Sequence, residues 1–196
     1  MKKLLSVCLT AVIAGSLMTG CSAITEMFEK ANGVILYGDH NQVAEVFEQE
    51  KEDLREKNEY KFKVAEDQGQ QILIFNETTA KALVEKELLN KVVKEDETEP
   101  ISSLPDLKDT GILFTKKDDV DKVTIDGKSI SVLNEGNIVI GRGRAYGDMF
   151  LVVSDEKWSA MKGTEKAMGV IEYNEDPAEK LPGFEVERVQ LITIND

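Results

Sequence analysis

Residues 33–54, GVILYGDHNQVAEVFEQEKEDL, pass from one backbone period to another within a short span. Val34-Ile-Leu-Tyr37 is an apolar run bounded by Gly33 and Gly38, the pattern of a strand covered on both faces. Asp39-His-Asn41 then offers side-chain oxygens to the first unpaired amides of a helix. From Gln42 to about Lys57 the residues are strong helix formers, with Val43, Ala44, Val46, Phe47 and Leu54 on one side. A buried strand followed by an amphipathic helix is the first unit, and the next residues repeat the theme.

Tyr60-Lys-Phe-Lys-Val64 alternates at period two, Gly69 marks a turn, and Gln71–Phe75 reads as the hairpin partner. Asn76 caps a second expected helix over 78–92, where Ala80, Leu83, Val84, Leu88, Leu89 and Val92 follow helical spacing. The charged run from Lys94 to Glu99, with Pro100 and Pro105 beyond it, predicts an irregular loop over 94–111. Ile112-Leu-Phe-Thr115 restores a strand. The order strand, helix, strand, strand, helix, strand is that of the ferredoxin-like βαββαβ arrangement, two helices on one face of a four-stranded antiparallel sheet.

The second half is richer in strands. Lys122–Ile125, Asp126-Gly127 and Ser129–Leu133 read as a hairpin closed by a type I′ turn. Strands are also expected over 137–140, Met149–Val153, Val170–Tyr173 and 185–194, the last pair separated by a loop bounded by Pro177 and Pro182. Ser154 caps a short helix running through Trp158 to Met161, closed by Gly163. The expected class is α+β: a ferredoxin-like N-terminal part and a strand-rich antiparallel C-terminal part. Residues 33–196 form one domain, or two subdomains at 33–116 and 117–196.

Ahead of that domain, Lys2 and Lys3 precede an uncharged, mostly apolar run from Leu4 to Met18, and Thr19-Gly20 leads into Cys21. This is the layout of a secretory signal, and the run falls short of the roughly 20 apolar residues of a membrane span. Leu17-Met-Thr-Gly-Cys21 resembles the lipobox of bacterial lipoproteins, with Met18 where leucine is usual. The resemblance implies a signal peptide over 1–20, a diacylglyceryl group on the sulfur of Cys21, and a lipid-anchored tether over 21–32. An ordinary cleaved signal that happens to contain Cys21 is the other reading. Two acyl chains, at about 0.8 kcal/mol per buried CH₂, give on the order of 20 kcal/mol of membrane affinity. The expected location is extracytoplasmic, on the outer leaflet of the cell membrane in a Gram-positive host.

With Cys8 in the signal and Cys21 lipidated, no thiol pair remains for a disulfide, a cysteine metal site or redox chemistry. The formal net charge is −13, and removal of Lys2 and Lys3 would deepen it by two. Such a body is repelled by phosphate backbones and anionic headgroups, so no nucleic-acid partner is expected. His40, the sole histidine, stands beside Asp39 in a turn, where it is a general-base or metal-ligand candidate, or part of a surface turn whose Asp and Asn cap the helix. Arg142 and Arg144 in Gly141-Arg-Gly-Arg144 could hold a small anion, or pair with surface acids around a glycine corner. Trp158, Met161 and Met168 form either a binding face or part of a core. No acid-base pair, nucleophile set, metal-ligand spacing or cofactor motif emerges, so no enzyme, metal or cofactor is expected.

Two further likenesses bear on role. Asp148-Met-Phe-Leu-Val-Val-Ser-Asp-Glu-Lys-Trp158 resembles a segment of the extracellular domains of FtsX/MacB-type ABC permeases, which implies a ferredoxin-like part beside a strand-rich part. Ala31-Asn-Gly-Val-Ile-Leu-Tyr-Gly38 and the overall layout are similar to small lipoproteins of Bacillus-group bacteria. The expectation is a non-enzymatic, lipid-anchored binding or accessory module of an envelope or ABC-transporter complex. The alternative is an extracytoplasmic receptor for a small anionic ligand or ion.

Overall fold

The computed structural model describes residues 31–95, 97–107 and 109–195. In chain order the elements are β1 (Gly33–Gly38), α1 (His40–Gln49), β2 (Leu54–Asp67), β3 (Gln70–Asn76), α2 (Glu77–Glu85), β4 (Leu89–Lys94), β5 (Glu97–Pro100) and β6 (Gly111–Phe114). They continue with β7 (Lys122–Ile125), β8 (Lys128–Asn134), β9 (Ile138–Ile140), β10 (Met149–Val153), α3 (Asp155–Ala160), β11 (Thr164–Tyr173) and β12 (Arg188–Ile192), with a 3₁₀ segment at Ala178–Gly183 before the last strand.

Nine strands form one mixed sheet in the order β12-β1-β11-β2-β3-β10-β6-β8-β7, and β5-β4-β9 form a small second sheet. Neighbours are antiparallel except β3 with β10 and β6 with β8, which run parallel. The α+β class holds, but the ferredoxin-like order does not. That order would set β1 beside strands of its own half. Instead β1 lies between β11 and β12, and β3 pairs with β10. The C-terminal strands are therefore not a separate antiparallel unit, because residues 33–116 and 117–196 interleave in one sheet. The physical reason is that β1 is buried along all six residues and needs a strand on each side. The ten-residue β11 meets that need, spanning β1 from Gly33–Glu172 to Gly38–Ala167 and β2 as far as Thr164–Val64.

Three local expectations also change. The first helix stops at Gln49 and Leu54 opens β2, although the intervening charged residues favour a helix. The second helix stops at Glu85: Glu87 takes φ +55° and turns the chain, so Leu89 and Val92 lie in β4. The expected loop over 94–111 contains β5, whose four residues are all exposed.

Alternation in β1 divides the core. Val34 and Leu36 pack with Val43, Val46 and Phe47 of α1. The helix comes down over Gly169, where a Cβ would lie 2.7 Å from Val43 Cγ1 and 3.1 Å from the Phe47 ring. Ile35 and Tyr37 join Phe62, Phe75, Leu83 and Phe150 on the other face. A third cluster, including Ile72, Ile74, Leu113, Val123, Ile125 and Leu151, lies inside a curl of the sheet. The curl brings the end strand β7 back to β2, where Thr124 N donates to Asp67 Oδ2 at 3.2 Å.

Candidate functional site

The curl is closed at one end by α3. Ser154 caps this helix as expected, its Oγ accepting from Lys157 N at 3.3 Å. Trp158 Nε1 donates to Ile74 O at 2.9 Å, fixing the helix to β3. From β2, the buried Lys63 donates to Trp158 O at 2.8 Å and Met161 O at 2.7 Å. Its Nζ also stands 4.4 Å from the Trp158 ring centroid. A cation at the carbonyl end of a helix complements its dipole, and the ring face adds a second attraction. Lys63 thus has a structural task, holding α3 in place.

Between α3 and the β7–β8 hairpin lies a cleft of about 480 Å³. Ile125, Ile130, Val153 and Met161 supply its apolar surface, continuous with the third core cluster. Lys128, Lys157, Lys162, Asp109 and Asp126 stand at its rim. Lys162 Nζ meets Asp126 Oδ2 at 2.8 Å, and this bond holds the Asp126 carboxyl below its usual range. Lys157 Nζ donates to the Asp109 carbonyl at 2.6 Å. The remaining ammonium, that of Lys128, faces solvent. A pocket of this size with a few polar groups around an apolar floor matches ordinary ligand sites.

The structure does not bring Arg142 and Arg144 together as an anion pair. Arg142 is exposed and donates to Thr193 Oγ1 at 2.7 Å. Arg144 Nη1 donates to Phe114 O at 3.2 Å and Asp148 O at 2.9 Å. Its Nη2 donates to Asn137 Oδ1 at 3.3 Å and Ile138 O at 2.9 Å. Burial lowers its pKa to about 10, which leaves the guanidinium charged at neutral pH. The glycine corner is real: Gly141 has φ +60°, and a Cβ there would sit 2.7 Å from Ile192 Cγ2.

Asp39 and His40 are likewise engaged separately. His40 Nδ1 pairs with Glu59, while Asp39 takes a bond from Lys166 Nζ at 2.8 Å. Lys166 also donates to Glu187 at 2.6 Å, and Tyr146 OH donates to the same carboxylate. Bonds from Lys166 first, and from Tyr146 second, hold Glu187 below its ordinary value of 4.5. Burial, aided by the bond to Glu187, pushes the Tyr146 phenol up to about 12. A carboxylate with a depressed folded pKa stabilises above its unfolded value and loses that contribution as pH falls through the folded one. Glu187→Gln is therefore expected to cost on the order of 1 kcal/mol at pH 7, and the difference should vanish well below pH 4.5. Urea denaturation of both proteins across pH 3–7 measures it; a difference independent of pH would contradict the assignment.

Of the suggested binding face, Trp158 and Met161 pack against the third cluster and Met161 also walls the cleft, whereas Met168 is fully buried in β11. Sequence reasoning missed the cleft because its lysines come from β8, α3 and the turn after it. Only Trp158 and Met161 signalled the place. Among the described residues no group of three or more His, Cys, Asp or Glu side chains is placed to hold a metal, and no helix is long and apolar enough to cross a membrane. Cys21, the signal and the tether to residue 30 lie outside the described residues.

The leader's resemblance to a lipobox signal points to a bacterial lipoprotein, and the comparisons agree. A family model described as an uncharacterised lipoprotein family matches residues 31–195, and the chain belongs to that family. The chain is also similar to a crystal structure of a candidate lipoprotein from Bacillus anthracis, at 36% identity and a TM-score of 0.78. That match covers 84% of this chain and 100% of the other. A comparison with the curated proteins finds no match. The likeness to Bacillus-group lipoproteins is thus borne out, and the likeness of Asp148–Trp158 to ABC permeases receives no support.

Proposed function

We propose that this chain is a non-enzymatic binding module, held by lipid on Cys21 at the outer face of the cell membrane, that engages another envelope protein through the α3 cleft. A place beside an ABC permease is one specific form of this reading. The observation that carries it is the cleft itself, an apolar floor rimmed by three lysines on a chain of net charge −13. The way the tether enters the domain supports it. Asn32 bonds both Ile194 and Tyr173, so the tether enters at the Tyr173 end of β11. Met161 and Lys162 precede Thr164 at the other end of that ten-residue strand, roughly 30 Å away at 3.4 Å per residue. One wall of the cleft is thereby carried away from the anchor.

The alternative, a receptor for a small anion at Arg142 and Arg144, has less support because four protein acceptors already occupy the Arg144 guanidinium. The test is amine-reactive crosslinking in the native host, followed by purification and mass spectrometry, with Cys21→Ala as the unanchored control. An envelope protein linked at Lys128, Lys157 or Lys162, and lost in the control, is the expected result. Recovery of no envelope protein above background would overturn the reading.

A further inference from the structure

β8 is seven residues long and β6 only four, so β6 covers only part of it, with the pairs Gly111–Val132, Ile112–Leu133 and Leu113–Asn134. Lys128–Ser131 therefore have β7 on one side and the cleft on the other. The turn decides which amides face which way. Asp126 and Gly127, at φ 51° and 73°, form the type I′ turn that makes Ile125 and Lys128 a mutually bonded pair. Alternation then turns Ile130 toward β7 as well. Val132 N donates to Asp121 O at 2.9 Å on that same side, and Glu135 N donates to Leu113 O at 2.9 Å on the other. Thr124, opposite Ser129, sends its N–H outward to Asp67, as a non-bonded pair requires. Ser129 and Ser131 thus direct their N–H groups away from β7, into the cleft, and no acceptor among the described residues meets them.

A row of open amides beside an apolar floor is a template for another strand. On the binding reading above, we propose that the cleft takes an extended, acidic segment of a partner protein as an added strand along the open part of β8, in line with β6. The open stretch spans about 13 Å at 3.3 Å per residue, room for roughly four residues of the partner. Acidity follows from the rim. Lys128, Lys157 and Lys162 outnumber Asp109 and Asp126, and Lys162 already neutralises Asp126. The edges of β7 and β5 are less suited to the same ligand. Asp67 meets the outward amide of β7, and β5 presents Glu97 and Glu99, which repel an acidic strand.

The experiment uses the full ¹⁵N-labelled chain in nanodiscs. The probe is a pool of hexapeptides in which Glu alternates with a randomised apolar residue; a second pool carries Lys in place of Glu, and a third is the Glu pool N-methylated at alternate amides. Retention of the Glu pool is expected, with shifted and exchange-protected amides at Ser129 and Ser131. A tenfold or greater loss is expected for the Lys pool, for the N-methylated pool and for Ser131→Pro, which removes an N–H that β7 does not use. Should Ser131→Pro not fold, N-methylation reads the same contact on the intact protein. An unretained Glu pool, equal retention of the N-methylated pool, or unmoved Ser129 and Ser131 amides would overturn strand addition. A partner still crosslinked at the cleft lysines would then leave the binding reading standing without this mode.

Discussion

Methionine in place of Arg144 is expected to lower the free energy of unfolding by about 3–5 kcal/mol, among the largest effects available to a single side chain here. The stem would still cover the Phe150 ring, whose centroid lies 4.8 Å from the guanidinium carbon. What disappears is the fork that gathers Phe114 O, Ile138 O and Asp148 O. Those carbonyls come from β6, β9 and the approach to β10, so three segments lose a common donor in a half-buried place. Each carbonyl left without a partner costs about 1–3 kcal/mol, reduced where water reaches it. Lysine should recover only part of the loss, because a compact ammonium cannot address both branches of the fork. Urea denaturation at pH 7 measures both variants. A change below 1 kcal/mol for Arg144→Met would mean that the carbonyls are solvated, and would return Arg144 to the list of ligand-binding candidates.

Phe62→Ala is expected to cost a further about 3–5 kcal/mol, by a different route. The ring is fully buried in β2 and stands 5.6 Å from Phe75, 5.7 Å from Tyr146 and 6.2 Å from Tyr37. Tyr37 and Tyr146 stack on each other at 5.2 Å, and Phe75 meets Phe150 edge-on. Removing the central ring leaves a cavity that stiff aromatic neighbours cannot refill, and forfeits their edge interactions. Phe62→Leu should lose less than half as much, since most of the volume stays. The check is the urea midpoint at constant m value; a fall in m would point instead to a loosened native state.

Much of the local structure was legible. Gly-bounded Val34–Tyr37, the Asp126-Gly127 turn and the Met149–Val153 run announced their elements, because buried runs and positive-φ pairs leave marks in composition. Strand partners were not legible. Period-two alternation says which face is buried, yet nothing in Val34–Tyr37 names Val170 or Leu191 as a neighbour. Glu87 hid a helix stop, since a glutamate at positive φ carries no sign of it, and Leu88 and Leu89 are buried in a helix or a strand alike. The candidate site was half legible. Arg144 drew attention by its charge, which serves the fold, while the cleft depends on the mismatch between a four-residue and a seven-residue strand. Such a mismatch exists only once the partners are known.

The placement of β1 between β11 and β12 also constrains when the protein can exist. Asn32 and Ile194, 162 residues apart, are bonded to each other at the rim of the sheet. A chain that emerges amino end first thus cannot close its first strand until nearly its whole length is available. Contacts of such long range slow folding, because the intervening loop entropy must be overcome before they form. Until then the apolar Val34–Tyr37 segment remains an unpaired strand, open to chaperones and proteases. A lesion that removes only β12 should for that reason strike the beginning of the chain as hard as its end.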